Sequence, residues 1–207
     1  MVKTELIPVI HMVTKQQVFE NVKTCIDCGI KKIFLINHAV SSSELIKCGL
    51  DVMSIYPNLW VGINLLGVPT RTCIGVELTF DGLWCDSSIS TKEAAEHRKF
   101  NGIFFGGLAF KYQPQPKDLQ KACEDAIITT DVATTSGIGT GIPANIEKIK
   151  MIRQFLGDHP MAIASGVSAE NVDNYKGIAD YLLVATSITD RNEMIIKDKL
   201  IELKNKL

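Results

Sequence analysis

The sequence predicts one α/β domain over residues 1–207, a closed (β/α)8 (TIM) barrel of parallel strands, and three observations carry that prediction. Eight short apolar runs alternate with longer amphipathic stretches from end to end. The runs are rich in Ile, Val, Leu and Phe, as strands covered on both faces are. The 207 residues suffice for one sizeable core, near the lower size limit of such a barrel, and not for two α/β domains. An open doubly wound sheet shows the same alternation and is the alternative.

Strands are expected at residues 7–12, 32–36, 60–65, 82–85, 102–108, 131–135, 161–164 and 181–185. Helical spacing places Val18, Val22, Cys25 and Ile26 on one face of a first helix. Ser41 to Ser43 cap a second, which carries Leu45, Ile46 and Leu50. No helical stripe stands out over residues 67–80. Residues 117–128 follow Pro114 and Pro116 and put Leu119, Ala122 and Ala126 on one side. Residues 142–156 read as a helix with Pro143 in its first turn, a favoured place for proline. Ser168 reads as opening another helix. Ile196, Leu200, Leu203 and Leu207 mark the last one. Strands alternating with helices in this way imply right-handed crossovers between parallel neighbours.

Composition narrows the partners. Lys and Arg number 22 and Asp and Glu 23, with no block of like charge, which argues against nucleic acid and membrane surfaces. The apolar run at residues 6–13 is broken by Pro8 and His11, too short for a secretion signal or a spanning helix. A soluble cytoplasmic protein without membrane insertion is the expectation, and a homo-oligomer is compatible with it. Six cysteines include the pair Cys25 and Cys28 at C-x-x-C spacing. That pair lies inside a helical pattern and lacks a second C-x-x-C, so it reads as two small buried residues rather than a metal or redox site.

Functional groups of a parallel barrel gather at the C-terminal ends of its strands. The seventh unit runs from a buried strand into Ser165, Gly166, Val167 and Ser168. Gly166 allows close approach of the backbone, and a helix opening at Ser168 would offer free N–H groups to an anion. The eighth unit ends in Ala185, Thr186 and Ser187, with two hydroxyls able to donate to phosphate oxygens. Two such motifs, in the last two units, predict a phosphate site.

The stretches "ASGVSAENV" and "ADYLLVATSI" are similar to the phosphate-gripping ends of ribulose-phosphate-binding barrels such as the phosphoribosylanthranilate isomerases. The longer stretch from "TTSGIGTG" to "ASGVSAENV" resembles the BtpA family, whose founding member is a photosystem I biogenesis factor. "IPVIHM" and "AFKYQ" fit that family loosely. The resemblance implies a barrel with a phosphate site and brings no settled reaction. One departure stands out: Ala185 replaces the usual glycine, and its Cβ would crowd a tightly held phosphate.

Thr135, Ser136, Gly137 and Gly139 belong to a glycine- and hydroxyl-rich segment that reads as a substrate-facing loop or lid. Its spacing fits neither a Walker loop nor a dinucleotide fingerprint. Other polar strand ends are His11, Asn37, His38, Asn64, Asp86 and Lys111. Asp86 suits a general base, a divalent-cation ligand or a cap. Lys111 follows "FFGGLAF", where desolvation would depress its pKa; it suits pairing with Asp86 or a substrate anion, a base, or a Schiff base. His11 is the third catalytic candidate.

An enzyme of isomerase or lyase type acting on a sugar phosphate or phosphoribosyl compound is the functional expectation. It needs no cofactor, and no cofactor motif is seen. The alternative is a BtpA-like assembly factor with a vestigial phosphate site.

Overall fold

Eight strands close on themselves in the computed structural model, which describes residues 3–76, 78–92 and 99–207. In chain order the elements are β1 (Glu5–His11), α1 (Lys15–Asp27), β2 (Lys32–Ile36), α2 (Ser42–Ile55), β3 (Trp60–Asn64), α3 (Thr70–Ile74), β4 (Gly82–Cys85), β5 (Ile103–Gly107), α4 (Leu119–Thr129), β6 (Val132–Thr135), α5 (Ile146–Leu156), β7 (Met161–Ala164), a 3₁₀ turn (Val172–Asn174), β8 (Tyr181–Val184) and α6 (Lys197–Asn205). Every strand pairs in parallel with its sequence neighbour, and β8 pairs with β1 through Glu5 opposite Tyr181 and Pro8 opposite Val184. The doubly wound alternative is thereby excluded.

Strand alternation splits the apolar side chains into two sets. One fills the barrel: the Phe34 ring meets Trp60, Trp84 and Phe105 edge-on at centroid distances of 5.3, 5.8 and 5.1 Å. Two strand glycines make the room. A Cβ on Gly62 would stand 2.3 Å from the Phe34 ring, and one on Gly82 2.1 Å from the Trp60 ring. The other set lies between strands and helices, where α1 contributes Val18, Val22 and Cys25 and α5 contributes Ile149, Ile152 and Leu156. Cys25 and Cys28 are buried free thiols on or next to α1, and burial pushes the Cys25 thiol up to about 12.

Three aspartates repeat one device at the N-terminal end of the barrel. Asp81, Asp131 and Asp180 stand just before β4, β6 and β8. Each accepts a backbone N–H from the preceding strand, at Val61 (2.8 Å), Phe104 (2.7 Å) and Met161 (2.8 Å). Arg153 of α5 braces Asp180 at 3.0 Å.

Four local expectations change. Residues 70–74 form a short helix, α3, too brief to show a stripe. Helix α5 begins at Ile146 rather than 142, because Asn145 caps it by accepting from Glu147 and Lys148 N–H groups. The 142–143 backbone is instead wedged against Gly137 and Gly166. Ser168 opens no α-helix; β7 is followed by the single 3₁₀ turn at Val172–Asn174. The last helix starts at Lys197 and leaves Ile196 as its cap. Helix α2 keeps its expected start: Ser41 and Glu44 exchange bonds in a capping box.

Candidate functional site

A cavity of about 270 Å³ opens at the C-terminal end of the barrel. Its wall includes His11 from β1, Trp84 from β4, Lys111 from the loop after β5, and Thr140 and Gly141 from the loop after β6. Residues 165–168 and 185–187 complete it. All six residues expected to bind phosphate, Ser165, Gly166, Val167, Ala185, Thr186 and Ser187, therefore line one space with His11 and Lys111.

The two loops are built differently from the expectation. Gly166 has a φ of +66°, and a Cβ there would stand 2.2 Å from the Pro143 nitrogen, so the close approach it permits is to the chain's own backbone. Ser165 also carries a positive φ, +120°, and its Oγ accepts from Gly137 N at 3.3 Å. Ser187 Oγ donates to the Val167 carbonyl at 2.7 Å and ties the two loops together. Asn171 staples the first loop by accepting from Ser168 N and donating to Gly166 O. With no α-helix after β7, the donors the two loops offer to the cavity are backbone N–H groups and the Thr186 hydroxyl. The N–H groups of Gly166, Val167, Thr186 and Ser187 make no hydrogen bond among the described residues. Such a set of N–H groups suits an anion without a helix dipole.

Lys111 faces this cavity with its ammonium 5.6 Å from the centre of the Phe110 ring and without an ion pair among the described residues. Desolvation pulls its pKa below the usual lysine value, and the Asp86 charge opposes that only in part. Asp86 itself lines a smaller, separate cavity of about 150 Å³ with Asn64 and Thr70. Asn64 donates to it at 3.3 Å, yet desolvation dominates and raises its carboxyl above the ordinary 3.8. Lys111 and Asp86 thus influence each other through space, across two cavities, rather than as a bonded pair. Among the described residues no group of three or more His, Cys, Asp or Glu is gathered as a metal cage needs.

Other expected site residues are occupied by the scaffold. Asn37 accepts from Leu66 N at 2.7 Å and holds the loop after β3. Thr135 and Ser136 are fully buried, and Ser136 Oγ accepts from Lys111 N at 2.8 Å. Gly137 backs onto Ile142, where a Cβ would lie 2.1 Å from the carbonyl oxygen. Gly139 stands beside Ile142 and the Tyr112 hydroxyl. The lid-like segment reaches the cavity instead through Thr140, whose N–H donates to Tyr112 Oη at 3.2 Å, and Gly141.

Three residues were not visible in the sequence as parts of this region. Trp84 lines the cavity, and its buried indole N–H has no partner among the described residues. Lys148 donates from Nζ to Ala109 O at 2.6 Å and Ser136 O at 3.1 Å. Its spacing, one helical turn before Ile152 on the buried face of α5, was the available signal. Glu193 lies 3.1 Å from His11 Nδ1, and nothing local in the sequence announces it.

No protein-family model matches the chain, and no curated protein sequence matches it. Solved structures do. The native KDPGal structure superposes with a TM-score of 0.70 at 12% identity, covering 99% of this chain and 95% of its own. Phosphoribosyl anthranilate isomerase from Thermus thermophilus gives 0.68 at 10% identity, covering 98% of each chain. KDPG aldolase from Legionella pneumophila, with pyruvate captured as a covalent carbinolamine intermediate, gives 0.64 at 12% identity over 97% of this chain and 90% of its own. At these identities the likeness establishes the (β/α)8 barrel fold.

Proposed function

We propose that the chain is an enzyme acting on a phosphorylated small molecule, a sugar phosphate or phosphoribosyl compound, by isomerase- or lyase-type proton transfer. One observation carries this reading: the loops after β7 and β8 share a single cavity with Lys111 and His11. A phosphate held by the free N–H groups of residues 166, 167, 186 and 187 leaves the rest of the molecule facing an ammonium and an imidazole. Lys111 supplies charge, or an amine already eased toward neutrality by desolvation. The cavity's size suits a small metabolite rather than a dinucleotide. Similarity to barrels named for aldolase and isomerase activity is in keeping with the reading.

Titration with inorganic phosphate and with ribose 5-phosphate tests it. Millimolar binding that weakens on Lys111→Met is expected, and absence of binding by either anion overturns it. Borohydride trapping with pyruvate separates the covalent version, since only a Schiff base adds mass at Lys111.

A second reading, an assembly factor with a vestigial site, is favoured by the Ser165 and Ser187 hydroxyls serving the protein's own backbone and by Ala185. A cellular phenotype insensitive to Lys111→Ala and Asp86→Asn supports that reading.

A further inference from the structure

The loop between β8 and α6 places a carboxylate on the cavity's histidine, and the chain pays for that placement in backbone strain. Glu193 sits at the loop's tip with a φ of +58°, a left-handed conformation disfavoured for a residue with a Cβ. The loop is closed by an antiparallel bridge between Thr189 and Ile195. Two buried polar side chains of α1 converge on it: Gln17 Nε2 donates to the Glu193 carbonyl at 2.8 Å and Asn21 Nδ2 at 2.7 Å. Asn21, 1% exposed, also accepts from Ile195 N at 2.8 Å. Asp190 Oδ1 accepts from Asn192 N and Met194 N on the other side of the tip. Strain at a residue over-determined by its surroundings is a mark of functional placement.

The consequence is the contact between Glu193 Oε2 and His11 Nδ1 at 3.1 Å. His11 ends β1 and lines the cavity, and its ring centre lies 4.4 Å from that of His38 on the loop after β2, the two planes tilted by 46°. His38 in turn feels the charges of His11, of Glu193 and of Lys111, the last from the loop after β5. Which ring nitrogen of a histidine carries the proton is set by the hydrogen bond the other makes. A proton on Nδ1, the nitrogen 3.1 Å from the Glu193 carboxylate, would leave the lone pair on Nε2, the nitrogen without a protein partner among the described residues.

We propose that Glu193 is a positioning residue that holds His11 as the Nδ1–H tautomer, and that His11 Nε2 is the proton-transfer base of the cavity. The proposal rests on the reading of that cavity as a substrate site. In the step, Nε2 takes a proton from a carbon beside a carbonyl of the phosphorylated substrate. The C–H electron pair remains on the substrate as an enolate, and the imidazolium formed lies against the Glu193 carboxylate. The proton then returns to another atom of the same molecule, so no oxidant or co-reactant is needed.

Nitrogen-15 NMR of the imidazoles in the whole chain tests this, at a pH where His11 is neutral. Asn tolerates the left-handed backbone but is too short to reach, so Glu193→Asn removes the contact and keeps the loop. The ratio of Nδ1–H to Nε2–H forms at His11 is expected to fall about fivefold or more in Glu193→Asn. In Glu193→Gln, whose amide oxygen still accepts, it is expected to fall about twofold. Acylation of His11 by diethyl pyrocarbonate at Nε2 is expected to slow in the same order. An unchanged tautomer ratio in Glu193→Asn overturns the proposal; if that variant does not fold, an unchanged ratio in Glu193→Gln does so. Inorganic phosphate added to the wild type should shift the His11 resonances. No shift overturns the phosphate reading of the cavity, while the tautomer ratio still decides the role of Glu193.

Discussion

Lys148 Nζ donates to the carbonyl of Ala109 at 2.6 Å, and through that bond α5 holds the loop that carries Lys111. Ala109 needs the support, since its φ of +45° is left-handed. The same ammonium also holds Ser136 O at 3.1 Å, while Ser136 Oγ holds Lys111 N. Desolvation depresses the Lys148 pKa, so part of the gain from these bonds is offset. Lys148→Met is expected to cost about 1 kcal/mol, read from urea unfolding, and to raise the rate of proteolytic nicking in the loop after β5.

Asp86→Asn is expected to stabilise the fold at neutral pH. The folded-state pKa of Asp86 is raised above 3.8 by burial, so the folded chain holds that proton more tightly than the unfolded one. The stability it contributes is fully present below the unfolded value and lost as pH rises through the folded one. Neutral pH therefore leaves a buried, unfavourable carboxylate that the amide removes. Melting curves should show the variant ahead at pH 7, with the difference closing below pH 3.8. Loss of the same charge should also make Lys111 react faster with trinitrobenzenesulfonate.

Gly166→Ala isolates a backbone clash from backbone strain. A Cβ at Gly166 meets Pro143 N at 2.2 Å, whereas at Gly177, with a similar φ of +77°, nothing lies within 4 Å. Gly177→Ala should cost about 1 kcal/mol from its left-handed backbone alone. Gly166→Ala should cost about 2 kcal/mol more and displace the 142–143 segment. Denaturant melts of the two variants compare them directly.

Ala185→Gly should tighten phosphate binding. Ala185 lines the cavity at the start of the 185–187 segment, and under the proposed function its Cβ would crowd the bound phosphate. A fall of about threefold in the calorimetric Kd for inorganic phosphate is expected, and no change would mean the anion sits elsewhere.

All six thiols are free and buried, and burial raises Cys25 to about 12 and Cys123 to about 11. An aromatic disulfide reagent at pH 8 should titrate fewer than one thiol in the folded chain and all six in guanidinium.

The barrel was legible because its strands are covered on both faces and so read as unbroken apolar runs. The bounds of β2, β4 and β7 follow those runs residue for residue. Helix α3 was not legible, since five residues show no period. The helix expected at Ser168 failed for a different reason: Asn171 takes the Ser168 N–H and turns the chain into a 3₁₀ turn.

The sequence by itself determined the barrel, and with it that residues 165–168, 185–187, His11 and Lys111 stand at one end, because strand order in a closed parallel sheet leaves no other place for them. Only the tertiary structure decided their employment. Ser165 and Ser187 serve neighbouring backbone, Asp86 falls into a second cavity, and Glu193 arrives at His11 from 182 positions away along the chain. Those outcomes depend on which loops lie side by side, and hydrogen bonds between loops leave no periodic trace in a sequence. The residues expected to bind phosphate therefore line one cavity, which offers backbone N–H groups and the Thr186 hydroxyl but no helix end.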